Sequence, residues 1–252
     1  MLQTVRDRGE GKLNMPIIDN NAMSIKAKNL GISLSPDQLA QLEQYAQLLV
    51  EWNTCMNLTG ITDGEGIMTR HFEDSLALLS YVSVPEGAKI IDVGTGAGFP
   101  GMVLKIARPD LHLTLLDSLH KRLVFLEEVA RTIGLELRTL HLRAEEGGKI
   151  PAFREQFDIA CARAVSNLRE LAEYCLPYVR VGGQFVSMKG PDAGEELHSA
   201  RPAIGTLGGK VSSVKEYSIS DGSGRTIIVV EKCKSTPSQF PRPSAKISKK
   251  PL

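Results

Sequence analysis

Cysteine is scarce in this chain, and the four that occur, Cys55, Cys161, Cys175 and Cys233, stand far apart. None belongs to a C-x-x-C pair or has a histidine at a spacing typical of zinc sites, so we expect neither a bound metal nor a disulfide framework. Free thiols of this kind fit a reducing compartment, and we predict a cytoplasmic protein.

Long apolar runs are also missing. No stretch approaches the roughly 20 residues that a helix needs to cross a bilayer, and the first residues contain no apolar signal region. We therefore predict neither secretion nor contact with a membrane. A net charge of +1 excludes a uniformly basic nucleic-acid binder, so any phosphate contact must come from local clusters. The 252 residues, 42% of them hydrophobic, suffice for one large domain with a small helical appendage.

The stretch from Ala88 to Gly101, AKIIDVGTGAGFPG, combines a short apolar run with a dense glycine turn. The run has the Ile and Val enrichment of a strand buried on both faces, and the turn opens toward a helix. Because Gly94, Gly96 and Gly98 lack Cβ, the backbone can adopt positive φ and lie against a ligand. The spacing contains G-x-G-x-x-G, so on its own it also suits a dinucleotide-binding fold.

Asp92, two residues before the first glycine, favours a different cofactor. A carboxylate at this position repels a pyrophosphate, but it can accept hydrogen bonds, directly or through water, from an ammonium group. The apolar strand, the acid and the G-x-G-x-G turn resemble the first motif of class I S-adenosylmethionine-dependent methyltransferases. Phe99, just beyond the glycines, is expected to pack either on the cofactor or in the core beneath the next helix.

The chain divides into four predicted segments. Residues 1–30 are polar without a sustained period, and we expect a disordered extension. Residues 31–84 are expected to form a helical subdomain, opened by an S-P-D-Q capping sequence at Ser35. Residues 85–234 alternate strands and helices and end in a hairpin, which predicts an α/β methyltransferase domain with a mostly parallel, Rossmann-like sheet. Residues 235–252 are Pro-rich and basic, and we expect a solvated arm.

The ends of the predicted strands supply the remaining cofactor candidates, because ligands of such sheets bind outside the carboxyl ends of the strands. Asp117 can accept both ribose hydroxyls, or it can stabilise the dipole of the next helix. Ala144 and Glu145 would lie beside the adenine, although Glu145 could equally be a surface acid. We expect Arg163 either to pair with a carboxylate such as Asp92 or Glu145, or to face cofactor and substrate.

Six motifs, in this order along the chain, indicate a particular family of methyltransferases. They are WNTCMNLT (52–59), RHFEDS (70–75), DVGTGAGFPG (92–101), LLDSLHKR (115–122), CARA (161–164) and MKG (188–190). Together they resemble the RsmG (GidB) family, the guanine-N7 methyltransferases of small-subunit ribosomal RNA, over residues 32–230. The departures are modest: Cys161-Ala162 replaces the more usual small Ile/Val-Ser pair, and the segment before residue 32 has no counterpart.

The resemblance implies S-adenosylmethionine as methyl donor and a guanine of 16S rRNA, free or in a small-subunit precursor, as acceptor. We expect a monomer. The family's cofactor positions fall on Gly94, Phe99, Ala144, Glu145 and Arg163. The candidate substrate contacts are Asn57, His71, Asp74, Arg122, Arg163 and Lys189, of which Arg163, Asn57, His71 and Lys189 are the candidate catalytic residues. Guanine N7 carries an exposed lone pair, so alignment with the methyl group suffices and no general base is required.

Two hypotheses from other classes remain open at this point. The glycine turn could serve an NAD(P)-dependent oxidoreductase, although Asp92 and the terminal hairpin argue against this and no Tyr-x-x-x-Lys pair occurs. Alternatively, the protein could be a non-catalytic ribosome-assembly factor that binds S-adenosylmethionine.

Overall fold

The computed structural model describes residues 15–191 and 193–252 and contains a central seven-stranded sheet. The strands are β1 (Lys89–Val93), β2 (His112–Asp117), β3 (Arg138–His141), β4 (Phe157–Arg163), β5 (Val179–Lys189), β6 (Gly209–Ser218) and β7 (Gly224–Lys232). The helices are α1 (Asn20–Asn29), α2 (Pro36–Met56), α3 (Gly64–Gly66), α4 (Asp74–Tyr81), α5 (Gly101–Ala107), α6 (His120–Ile133), α7 (Ala144–Gly147), α8 (Leu168–Cys175), α9 (Gly194–Thr206) and α10 (Ser244–Lys249). A π-helical segment, Ile67–Glu73, joins α3 to α4, and a 3-10 turn, Leu176–Tyr178, follows α8.

The strands follow the order β3-β2-β1-β4-β5-β7-β6, and all pairs are parallel except those that β7 makes with β5 and β6. Successive side chains of the central strands enter two different cores: Ile90 and Ile159 lie in one, Ile91 and Ala160 in the other. Burial on both faces explains why these strands are continuous apolar runs in the sequence. The predicted α/β class, with its parallel sheet and terminal antiparallel hairpin, is confirmed.

Helix α2 begins as its sequence predicts. The Ser35 hydroxyl accepts from the Gln38 amide, and the Gln38 side chain accepts from the Ser35 amide, which completes a capping box. The Gln38 side-chain amide also donates to the carbonyls of Ile106 and Ala107 at the end of α5. The cap therefore also fixes α2 against α5. The buried stripe of α2 consists of Leu42, Tyr45, Ala46 and Leu49.

A second helical segment follows α2 in the N-terminal part of the chain. It begins with α3 at Gly64, passes through the π-helical segment and ends with α4 at Tyr81. Both His71 and Asp74 are buried along it. Short π-helical segments often occur at functional sites because the extra residue per turn redirects side chains.

We predicted disorder for residues 1–30, but the structure describes residues 15–30 and folds most of them into α1. Asp19 caps α1, and Met23 and Ala27 of this helix are fully buried. Two buried side chains were too few to produce a recognisable period in a polar sequence, so only the packing identifies the helix. Residues 1–14 lie outside the described residues.

The C-terminal residues 235–252 are packed rather than forming the predicted solvated arm. Phe240 is 6% exposed and Ile247 of α10 is fully buried. The sequence prediction missed this packing because two isolated apolar side chains form no recognisable pattern in a Pro-rich segment. Helix α9, between β5 and β6, was not predicted either.

Candidate functional site

A cavity of about 550 Å³ opens at the carboxyl ends of β1, β2 and β4, the edge where the predicted residues converge. The predicted residues among its walls are His71, Gly94, Gly96, Phe99, Asp117, Arg122, Ala144, Glu145 and Arg163. Wall residues not singled out from the sequence include Leu58, Thr59, Val165, Tyr174 and Ser244. This volume lies in the range of small-molecule and cofactor sites.

The glycine turn contributes two of its three alternating glycines to the cavity. Gly94 and Gly96 have φ of 71° and 60°, so both use the left-handed conformation that glycine adopts most readily. Gly98, at φ of 101°, does not line the cavity: a Cβ there would come within 2.5 Å of the Tyr45 hydroxyl and 2.7 Å of Met102. Gly98 therefore permits close packing against α2, rather than the predicted cofactor contact.

Asp92 lies beneath the glycine turn and is not a wall of the cavity. Its Oδ2 accepts from the Thr95 hydroxyl at 2.7 Å and from the Gly101 amide at 3.0 Å. Its Oδ1 is buried without a partner among the described residues. Complete burial raises the pKa of the carboxyl from 3.8 to about 6. Asp92 thus holds the turn in shape through these two hydrogen bonds. The contact with an ammonium group, direct or through water, stays a prediction.

Asp117 ends β2 and lies in the cavity wall as predicted. Its Oδ2 accepts from the Gly96 amide at 3.0 Å, and its Oδ1 accepts from the Leu119 amide at 2.8 Å. The Arg122 guanidinium is 3.3 Å from Oδ2. A carboxylate offers about four lone-pair sites, and three are used here. One site therefore remains for a ligand hydroxyl, and a second becomes available when the Arg122 contact is released. The same side chain therefore fixes the glycine turn and the start of α6 while facing the cavity.

Arg163 ends β4 and takes a different carboxylate from the two that the sequence suggested. Its Nη1 donates to Asp74 Oδ2 at 2.9 Å, rather than to Asp92 or Glu145, and also donates to the carbonyl of Arg70. Asp74 Oδ1 accepts from the Tyr217 hydroxyl at 3.0 Å. Arg163 therefore pairs with a carboxylate and also lines the cavity. The sequence had offered these two positions as alternatives, and the structure combines them.

His71 and Phe99 stack face to face beside Arg163. Their ring centroids are 4.3 Å apart with an interplanar angle of 14°, and the guanidinium carbon lies 5.1 Å from the Phe99 centroid. His71 Nε2 is 2.9 Å from the Thr59 hydroxyl. Burial, followed by the charge of Arg163, lowers the pKa of His71 from 6.5 to about 4. At neutral pH this imidazole is uncharged and a weak base.

Two predicted catalytic residues, Asn57 and Lys189, do not line the cavity. Asn57 adopts φ of 48° as the C-cap of α2, and it turns the chain so that the next two residues, Leu58 and Thr59, reach the cavity instead. Lys189 donates to the Ser166 carbonyl at 2.5 Å and to Glu196 at 2.8 Å. Both residues therefore shape the site from outside it. Thr59 could have been found, because it ends the same WNTCMNLT motif.

Two further observations concern the part of the chain that the structure describes. In residues 15–191 and 193–252, no group of three or more His, Cys, Asp or Glu side chains is arranged to hold a metal ion. Nor is any helix there long and apolar enough to cross a membrane.

The strand order, the antiparallel β7 and the cavity at the β1 and β4 ends define the class I methyltransferase fold. Solved structures of the same fold include TrmN from Thermus thermophilus, with TM-score 0.50, 20% identity, and coverage of 66% of this chain and 53% of that one. The branched-chain polyamine synthase of Thermus thermophilus has TM-score 0.53 at 13% identity, covering 65% and 56% of the two chains. At these identities the likeness concerns the fold alone.

The chain belongs to the family of rRNA small subunit methyltransferase G, whose model matches residues 38–225. Ribosomal RNA small subunit methyltransferase G of Clostridium novyi (strain NT) is 43% identical over 242 residues, covering 95% of this chain and all of the relative. The Alkaliphilus metalliredigens (strain QYMF) protein of the same name is 48% identical over 228 residues, covering 89% and 95%. The protein is therefore a methyltransferase, not a nicotinamide-dependent oxidoreductase or a non-catalytic assembly factor.

Proposed function

We propose that this protein transfers the methyl group of S-adenosylmethionine to N7 of a guanine in 16S rRNA. The cavity at the ends of β1, β2 and β4 carries the proposal, because it joins an open glycine turn, a carboxylate and an arginine in one wall. Family membership supports the acceptor, since the relatives carry the name ribosomal RNA small subunit methyltransferase G. The cavity itself indicates the class of cofactor, and the family indicates the acceptor.

The residues present fit the cofactor at three points. A Cβ added at Gly96 would meet no heavy atom closer than 4.0 Å, so the cavity side of this glycine is open for the methionine part of the ligand. Asp117 retains one acceptor site for a ribose hydroxyl, and a second when Arg122 leaves it. Ala144 and Glu145, which begin α7, line the same cavity, and they are the residues that we propose for contact with the adenine.

The reaction needs alignment more than acid–base chemistry. When bound, S-adenosylmethionine supplies an electrophilic methyl group on a positively charged sulfur. Because the N7 lone pair needs no prior loss of a proton, the pocket residues would have only to hold the base in line with that methyl group. The uncharged His71, with its pKa of about 4, is consistent with this requirement. We propose that His71, Phe99 and Arg163 form the rigid side of the pocket that holds the base in line with the methyl group.

The RNA partner requires positive charge near the cavity mouth. Arg122 and Arg143 both line the cavity, and Arg122 is 36% exposed in its side chain. We propose that these two residues contact phosphates, so that RNA binding weakens with salt. Asn57 and Lys189 would act only indirectly, by shaping the loops around the site. We further propose that the protein acts as a cytoplasmic monomer.

Titration calorimetry and methyl transfer test the proposal together. The protein is titrated with S-adenosylhomocysteine and with NADH, and 16S rRNA lacking the modification is offered both deproteinised and in small subunits. We expect binding of S-adenosylhomocysteine but not of NADH, and a new N7-methylguanosine located by chemical cleavage at that base. Methylation at another atom, or no transfer to either substrate by cofactor-binding protein, would overturn the assignment.

A further inference from the structure

The C-terminal segment of residues 236–252, here called the C-terminal strap, reaches the cavity wall although it follows the last strand of the sheet. Ser244, at the start of α10, is among the wall residues. Tyr174 of α8 and Ala144 and Glu145 of α7 line the same cavity. The strap therefore lies close to the elements that we assign to the adenine end of the cofactor.

A buried ion pair holds the strap in place just before Ser244. The Glu173 carboxylate on α8 is fully buried, and Arg242 donates to it from its backbone amide at 2.8 Å, from Nε at 2.8 Å and from Nη2 at 2.6 Å. Glu173 thus receives a two-pronged guanidinium contact together with a main-chain hydrogen bond. Such an arrangement fixes the position of the backbone at residue 242, and with it the position of Ser244 two residues later.

The two ends of the strap are also attached. Arg154 donates to the carbonyl of Thr236 at 2.6 Å and to that of Phe240 at 2.8 Å. At the other end Arg169 of α8 donates to the carbonyls of Pro251 and Leu252.

Between these attachments the Ile247 side chain of α10 is fully buried. The strap is consequently a fixed part of the domain on both sides of the cavity residue Ser244.

We propose that the C-terminal strap forms part of the cofactor site: Ser244 is a binding residue at the adenine end, and the Arg242–Glu173 pair is its positioning device. The proposal rests on the proposed function, because it takes the cavity ligand to be S-adenosylmethionine. Arg242 would then have a structural use, since its guanidinium pairs with the buried Glu173 and not with a phosphate.

The test compares two ligands by titration calorimetry on the full chain. S-adenosylhomocysteine occupies the whole cofactor site, whereas 5′-methylthioadenosine carries only the nucleoside part. The variants are Ser244→Ala, Arg242→Gln and, as a matched control, Ser238→Ala, which changes an exposed serine of the same strap. The thermal midpoint of each variant is recorded beside its affinities.

We expect Ser244→Ala to lower the affinity for both ligands by a similar factor of about 2 to 10, which corresponds to the loss of one hydrogen bond. Arg242→Gln should weaken both by more than about tenfold, since it releases the strap, and Ser238→Ala should change neither. If Arg242→Gln does not fold, the affinities of Ser244→Ala still test the proposal, because Ser244 is only half-buried and its replacement leaves the core intact.

Wild-type affinities for both ligands in folded Ser244→Ala and Arg242→Gln proteins would refute the strap's role, even if their thermal midpoints fell. A loss for S-adenosylhomocysteine alone would equally refute placement at the adenine end. Failure of the wild-type protein to bind S-adenosylhomocysteine would instead refute the proposed function.

Discussion

Asp74 joins three parts of the fold at the cavity, and its replacement by asparagine tests how the site is held. Its carboxylate is 6% exposed and contacts Arg163 of β4, Tyr217 of β6 and Arg225 of β7, at 2.9, 3.0 and 3.4 Å. Asp74→Asn keeps the volume and one acceptor oxygen but removes the charge. Two guanidinium groups, 13% and 19% exposed, then lose their shared counterion.

The expected cost follows from the burial of the partners. Breaking a buried pair by removing one member costs about 3–5 kcal/mol, because the other charge stays buried without compensation. The retained amide oxygen can still accept from one donor, so we expect about 2–4 kcal/mol for Asp74→Asn. For a chain of this size that corresponds to a fall in the thermal midpoint of roughly 4–16 °C. Affinity for S-adenosylhomocysteine should fall as well, since Arg163 loses its fixed position.

Asp221→Asn supplies the matched control. Asp221 accepts from Arg70 at 2.8 Å, but this pair is exposed, with side-chain exposures of 53% for Arg70 and 25% for Asp221. Exposed pairs contribute about 0–1 kcal/mol, so the control should shift the midpoint little. Urea unfolding of both variants, read by circular dichroism, gives the two free energies. The reasoning fails if Asp74→Asn costs no more than Asp221→Asn, because burial would then not determine the worth of the pair.

Three further predictions concern the cavity and its support. Gly98→Ala should lower the free energy of unfolding by about 1–3 kcal/mol, because its Cβ would meet the Tyr45 hydroxyl. Gly134→Ala, which also has a positive φ but open space around the new Cβ, should lower it by only about 1 kcal/mol. Urea unfolding measures both values, and equal values would contradict this reasoning. Because the folded-state pKa of His71 is lowered to about 4, its contribution to stability is present above pH 6.5 and lost as pH falls toward 4. His71→Asn should therefore flatten the pH dependence of unfolding in that window, and an unchanged slope would refute the cause. Asp117→Ala should weaken S-adenosylhomocysteine binding more than about tenfold in calorimetry, since it removes the proposed ribose acceptor and the support of the glycine turn. Wild-type affinity would exclude the ribose contact.

Local signals predicted much of the fold. The capping box at Ser35 and the apolar run before Gly94 correspond to α2 and β1, because hydrogen bonding of a cap and burial on two faces leave direct marks in a short window. The hairpin of β6 and β7 was equally visible. The sequence did not predict helix α1, helix α9 or the packing of the strap. Each of them depends on a few apolar side chains that pack against residues distant in the chain.

The candidate site divides in the same way. The identities of Gly94, Asp117 and Arg163 as cavity residues follow from their positions at strand ends, because parallel strands bring their carboxyl ends to one edge. The partner of Arg163 could not be predicted, since Asp74 is 89 residues away and reaches it only through the packing of the π-helical segment on the sheet.

The amino-acid sequence by itself determined the class of sheet, the glycine turn and the family, because these depend on local periodicity and on short motifs. Tertiary structure alone decided that Asp92 and Gly98 lie outside the cavity, that Asn57 and Lys189 support it from a distance, and that Ser244 reaches its wall. The physical reason is that the direction of a side chain and the identity of its partner depend on contacts between residues far apart in the chain, which no local pattern encodes.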